Sequence, residues 1–309
     1  MRTAFVDTLV QLAKEDERVV LLTGDLGFMA LEPFRDAYPS RFVNVGVAEQ
    51  NLIGIATGLA DAGFTPFCYS IATFASMRGF EFFRNGAAWH NLPVRLVGMG
   101  GGFEYGSAGV THHGVEDLGA MRLLPPVTVI APADAEQTPP LVRYAQSRRG
   151  PVYLRLGKND RRRVPGLEGA FEPDRISITR QGASGLVLAT GSVAAEAAES
   201  VEGLSLSGLS CSFGVVASLA PAPVDHLREL LAAHPWVATV EAHVPAGGLG
   251  SLVAEVLAEQ GAATPLLRCC VDDPFASEEL GDEAFLHELH GLSATALERR
   301  LASFVESLA

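Results

Sequence analysis

The chain has 309 residues, 48% of them hydrophobic and 19% charged, enough for a substantial core and better suited to two domains than to one. Its formal net charge of −13 argues against nonspecific attachment to nucleic acid, which needs a concentrated basic surface. No uninterrupted apolar run approaches the ~20 residues of a membrane span, and the N-terminus lacks a signal-peptide pattern, so a cytoplasmic protein is the simplest expectation.

Helical and extended patterns alternate along the chain. A helix is expected over 4–15, then the strand "RVVLLTGD", a short helix near 31–37, and the strand "FVNVG". A helix over 48–62, the strand "FTPFCYS" and a second helix, "FASMRGFEFFRNGAAWH", follow. "PVRLVGMG", "VTVIAP" and "PVYLRLG" read as short buried strands, with a helix between the last two that the Asp134 carboxylate is placed to cap. Residues 157–184 break the rhythm with charges, glycines and prolines, including the basic run "GKNDRRRVPG", which reads first as a solvated linker. A second unit then runs through "SGLVLATGS", "LSLSGLSCSFGVV", a helix near 223–232, "WVATVEAH", "LGSLVAEVLAE", "PLLRCCV" and a last helix after Ser293. Strands separated by helices imply mostly parallel sheets covered on both faces. Cys68, Cys211, Cys269 and Cys270 lie in or beside apolar runs with no metal-ligand spacing, as reduced core residues would.

Glu49 stands at the junction between "FVNVG" and an apolar helix. Strand ends in parallel sheets face the crevice where ligands bind, although a first-turn carboxylate also has an ordinary role against the helix dipole. Phe74, Phe80, Phe82 and Phe83 suit a core, while Arg78 and Arg84 read as helix-surface or subunit-interface residues. The adjacent His112 and His113 lie in an extended loop where neighbours point apart. "GMGGGFEYGSAG" is glycine-rich but lacks the end of a Walker loop.

Gly46, Val47, Ala48, Glu49, Gln50 and Asn51 match a Gly-x-Ala-Glu-x-Asn pattern. The aromatic helix from Thr73 to Arg84 follows in order, then "GVTHHGVED", "VIAPAD", "PVYLRLG" and "VEAHVPAGGLGS". With this ordered set the chain resembles the transketolase family of thiamine enzymes. The resemblance implies two three-layer α/β domains, each with a mainly parallel sheet. Residues 1–165 would form a pyrimidine-binding domain and 185–309 a transketolase C-terminal-like domain, with the linker at about 157–184.

The resemblance also implies roles. Glu49 would contact N1′ of the cofactor aminopyrimidine and promote its imino tautomer, a task helped by a pocket that raises the carboxylate pKa. Phe74 would lay an aromatic face against the pyrimidine, with Phe80 as a second contact. His112 would touch substrate or intermediate, beside His113. Lys158 stands where the family has a phosphate-contacting arginine, whose bidentate fork lysine does not reproduce. An acidic residue usual at the Ala108 position and a histidine usual near Gly100 are absent, which points to a shorter, modified or nonphosphorylated acceptor.

The diphosphate-binding domain with its Gly-Asp-Gly motif is not seen; "TGDLG" at 23–27 is not that motif. The resemblance therefore implies the C-terminal subunit of a split transketolase that uses thiamine diphosphate and Mg2+, with no metal ligands in this chain. The expected partner is an N-terminal subunit carrying the diphosphate site, in an α2β2 heterotetramer. A homodimer of this chain alone would be inactive. Alternatives are the β subunit of a 2-oxoacid dehydrogenase, a 1-deoxyxylulose-phosphate synthase-like enzyme and a noncatalytic assembly subunit.

Overall fold

The apolar strands build two sheets in the computed structural model, which describes residues 1–275 and 279–308. Val19–Thr23 (β1), Phe42–Asn44 (β2), Thr65–Ile71 (β3), Arg95–Met99 (β4), Thr128–Ile130 (β5) and Val152–Leu156 (β6) form the first, all in parallel pairs. Every residue of β1, β4 and β6 is buried, as expected for strands covered on both faces. The period of two is visible in β1. Val19 and Leu21 enter a core with Phe5, Leu9, Leu141 and Val142. Val20 and Leu22 enter another with Leu52, Ile53 and Phe83.

Ser177–Arg180 (β7), Leu186–Ala189 (β8), Ser212–Val215 (β9), Ser218–Ala220 (β10), Val237–Val240 (β11) and Leu266–Cys269 (β12) complete the strands. The second sheet runs β12-β11-β8-β9-β7, parallel except for β7. The strand β10 does not join it. It pairs antiparallel with β5 and makes the first sheet seven-stranded, in the order β10-β5-β6-β4-β3-β1-β2. The two α/β domains and their mostly parallel sheets agree with the expected fold class.

Three departures are informative. The linker contains β7, held by antiparallel pairing to β9. The aromatic helix is not a regular α-helix: π-helical turns at Phe74–Arg78 and Phe83–Ala88 flank a short α segment, a distortion frequent at functional sites. Asp134 is buried; one of its oxygens accepts the N–H groups of Glu136 and Gln137, and the other accepts that of Val164. It thus fastens the linker as well as the turn that leads into the helix Thr138–Ser147.

The domains share their core. One apolar cluster runs from Val20 and Leu96 to Leu227, Leu252 and Val256. A buried polar seam lies beside it. Arg155 Nη2 donates to the carbonyls of Gly114 and Ala242, each at 2.8 Å, and its Nε lies 3.5 Å from Asp117 Oδ2. The Tyr153 hydroxyl donates to the same Asp117 oxygen at 2.6 Å, and the Gly119 N–H donates to His243 Nε2 at 3.0 Å. Gly101 has to be glycine here, because a Cβ would stand 1.7 Å from Arg155 Nε. Among the described residues no helix is long and apolar enough to cross a membrane.

Candidate active site

Parallel strands end on one edge, so the loops after them meet there. The loop after β2 delivers Glu49, that after β3 delivers Phe74 and Arg78, that after β4 delivers Tyr105 and His112, and β6 leads into Lys158. Asn44, at the end of β2, sets the entry. Its Oδ1 accepts the N–H groups of Asp25 and Gly46, and its Nδ2 donates to the Asp25 carboxylate. Gly46 then turns the chain at φ 77°, in the left-handed region that favours glycine. Glu49 becomes the first residue of the helix Glu49–Asp61.

Glu49 is 2% exposed. A carboxylate so placed must be paired, and it is. Ser70 Oγ donates to Oε1 at 3.0 Å and Arg78 Nη1 donates to Oε2 at 3.1 Å; the N-terminal end of its helix adds a favourable dipole. The Arg78 guanidinium lies over the Phe74 ring, with Cζ 3.9 Å from the centroid. Phe74 meets the His112 ring edge-on at 4.9 Å. His112 shares a hydrogen bond with Thr111 Oγ1 at 3.0 Å and lies 6.4 Å from the Tyr105 ring. Lys158 Nζ sits 4.0 Å over Tyr105 and donates to the Glu104 carbonyl at 3.0 Å. These contacts form one continuous line: Glu49, Arg78, Phe74, His112, Tyr105, Lys158.

The structure thus gathers Glu49, Phe74, His112 and Lys158. It sends two other expected residues elsewhere. Half-buried Phe80 packs on the core cluster that contains Ile53 and Phe83. His113 is buried, its Nε2 3.4 Å from the Gly106 carbonyl and its ring edge-on to Phe103 at 5.1 Å. Phe103 also stacks on His290 at 4.7 Å, so His113 belongs to the seam between the domains. Burial lowers the His113 pKa, and the neighbouring His112 lowers it further.

Four residues join the site without standing out in the sequence: Ser70, Arg78, Tyr105 and Glu104. Arg78 has one signal in its spacing of four from Phe74, which places both on one helix face. Glu104 is buried behind Lys158, whose N–H donates to Oε2. Burial pushes the Glu104 carboxyl up to about 7, and the nearby Glu283 carboxylate adds to the rise. Among the described residues no group of three or more His, Cys, Asp or Glu side chains is arranged to hold a metal ion.

Chemically, the line offers a dry carboxylate, an aromatic face beside it, an imidazole next to that face and an ammonium at its far end. The carboxylate and face suit a flat nitrogen heterocycle. The imidazole and ammonium suit the oxygens of a polar substrate.

Comparison with known proteins gives a concordant picture. The family model for the transketolase pyrimidine binding domain matches residues 1–163, and that for the transketolase C-terminal domain matches residues 174–290. A putative transketolase C-terminal section from Methanocaldococcus jannaschii is 35% identical over 304 residues, covering 97% of this chain and 95% of that one. The 6-deoxy-6-sulfo-D-fructose transketolase subunit SqwH from Clostridium sp. (strain MSTE9) is 34% identical over 300 residues, covering 97% and 92%. A solved split gene transketolase, described as an inactive β4 tetramer, superposes with a TM-score of 0.87 at 35% identity, over 99% of this chain and 97% of the other.

Proposed function

The chain belongs to the transketolase family, and from that premise we propose that it is the pyrimidine-binding subunit of a two-chain transketolase. The enzyme would use thiamine diphosphate to transfer a two-carbon ketol unit from a ketose-like donor to an aldehyde acceptor. The observation that carries this reading is Glu49, a carboxylate 2% exposed at the carboxyl edge of a parallel sheet, with the Phe74 ring adjoining through Arg78.

The residues present fit the aminopyrimidine half of the cofactor. Glu49 supplies the acid–base partner for a ring nitrogen, and Phe74 supplies a stacking surface. Bound thiamine diphosphate supplies the electron sink for breaking and making the carbon–carbon bond. Glu49 holds a proton toward the ring nitrogen, and Ser70, bonded to Oε1, fixes the orientation of its carboxyl group. His112 is placed to donate to a substrate oxygen and stabilise charge that develops there. Lys158 draws an anionic or hydroxyl-bearing substrate end to the outer part of the site.

Magnesium and the diphosphate grip are assigned to a partner chain, in an α2β2 assembly. The solved relative, a split gene product inactive as a β4 tetramer, supports that division of labour. The relative named for 6-deoxy-6-sulfo-D-fructose, a ketose and therefore a donor, supports a modified sugar substrate, in line with Ala108 and Gly100 at positions where the family usually has an acidic residue and a histidine.

Reconstitution with a diphosphate-binding chain, thiamine diphosphate and Mg2+ tests the proposal. Mass spectrometry of paired donor and acceptor products should show ketol transfer that neither chain gives alone. Glu49→Gln should lower turnover by about 10²–10⁴-fold, the range of a lost acid–base group, while the complex still assembles. Equal turnover by the isolated chain would refute the two-chain reading. A complex that only decarboxylates 2-oxoacids would preserve the role of Glu49 and overturn ketol transfer.

A further inference from the structure

Arg78 makes, with one group, both contacts that the pyrimidine of the cofactor would need. Its guanidinium is flat and lies 3.9 Å above the Phe74 ring, and its Nη1 donates to Glu49 Oε2 at 3.1 Å. A planar cation over an aromatic face and a hydrogen bond to a buried carboxylate reproduce stacking and N1′ recognition in miniature. We propose that Arg78 occupies the aminopyrimidine position in the cofactor-free chain and must swing out for the cofactor to enter. The inference rests on the reading of Glu49 as the cofactor-contacting carboxylate.

Exposure supports a displaceable group. The Glu49 side chain is 2% exposed and that of Arg78 is 45% exposed, so the guanidinium stands between the carboxylate and solvent at the end of a long flexible stem. It can leave by changing side-chain rotamers, without unwinding the π-helical turn that carries it. Charge gives the reason for its presence. A buried carboxylate without a partner is costly, and Arg78 removes that cost while the site is empty of cofactor. The same pairing opposes the working state. Glu49 must share a proton with a ring nitrogen, and it cannot do so through Oε2 while the Arg78 guanidinium is bonded there. Arg78 therefore suits storage of the site and must yield for use.

The consequence is a competition. Apparent cofactor affinity falls by the fraction of chains in which the site is free, so removing the competitor tightens binding. The test uses the reconstituted complex and fluorescence titration with thiamine diphosphate at fixed Mg2+, for the wild type, Arg78→Met and Arg78→Lys. Arg78→Met keeps an apolar stem and loses the flat cation; it should bind cofactor about tenfold more tightly, the factor expected if the plugged form predominates about ten to one. Arg78→Lys, which can still pair with Glu49 but cannot stack as a plane, should fall between. The cofactor-free isolated chain should melt at a lower temperature in Arg78→Met than in the wild type, because Glu49 has lost its cation.

Unchanged or weaker cofactor binding by Arg78→Met, with normal binding by the wild type, would overturn the inference and leave the proposed function standing. Failure of the wild-type complex to bind thiamine diphosphate would instead overturn the reading of Glu49 itself. If Arg78→Met does not yield soluble chain, Arg78→Lys decides the matter: tighter binding than wild type supports the plug, and equal or weaker binding refutes it.

Discussion

Replacing Arg155 with Met should uncouple the loop that carries Gly114 from the second domain at a measurable cost in stability. Arg155 is 6% exposed and Asp117 is fully buried. The guanidinium is the cation nearest that carboxylate, at 3.5 Å, and it holds the Gly114 and Ala242 carbonyls on opposite sides of the seam. Methionine fills much of the stem volume but leaves Asp117 Oδ2, among the described residues, with the Tyr153 hydroxyl as its donor. Breaking a buried pair from one side costs about 3–5 kcal/mol, and two carbonyls that lose their donor add about 1 kcal/mol each. Allowing for overlap between these terms, a loss of about 4 kcal/mol is expected. At a urea slope of about 2–3 kcal/mol/M, the unfolding midpoint should fall by more than about 1 M, read by circular dichroism at pH 7.5. Adding Asp117→Asn removes the stranded charge and should recover a substantial part of the loss. A shift equivalent to less than about 1 kcal/mol for Arg155→Met, well below the cost of stranding a buried charge, would refute the reasoning. So would a double variant no more stable than the single one.

Three further outcomes follow from named groups. The Glu104 carboxyl is held at about 7 in the folded chain, above its ordinary 4.5, so the folded state binds the proton more tightly than the unfolded state. Its contribution is full below about 4.5 and is lost as pH rises to about 7; Glu104→Gln should therefore gain stability relative to wild type across that window, by up to about 3 kcal/mol in denaturation at pH 5 and pH 8. All four cysteines are buried and free, and burial raises the thiol pKa of each. A thiol reagent at pH 8 should label none in the native chain and all of them in urea. Lys158→Met should raise KM for an acceptor roughly tenfold with little change in kcat, as loss of one charged hydrogen bond would, measured on the reconstituted complex.

Much of this architecture is legible in the amino-acid sequence, for local reasons. Strands such as "VVLLT" are continuous apolar runs because both faces of the sheet are covered, and the helices between them force parallel pairing. Glu49 stands out because a carboxylate beside a buried apolar helix needs a purpose. What stays hidden depends on distance along the chain. Arg155 reads as an ordinary member of "PVYLRLG", yet its partners at Gly114 and Ala242 lie 41 and 87 residues away. The π-helical turns of the aromatic segment have no signature in apolar spacing, so Arg78 reads as a surface residue. His113 differs from His112 only in which way the loop turns it. One faces the Phe74 ring and the other the Phe103 ring.

The strand β10 carries a consequence for how this molecule can be divided. The first sheet has its outermost strand supplied by Ser218–Ala220, well beyond the linker and inside the region that matches the C-terminal family model. A cut through the linker would strip that strand from β5 and leave an unpaired row of backbone donors and acceptors, an invitation to intermolecular pairing. The two domains are separate as sequence modules and joined as an object. Each is a neighbour to the other in one sheet, so inheritance, exchange or engineering of either half must bring along a piece of its companion.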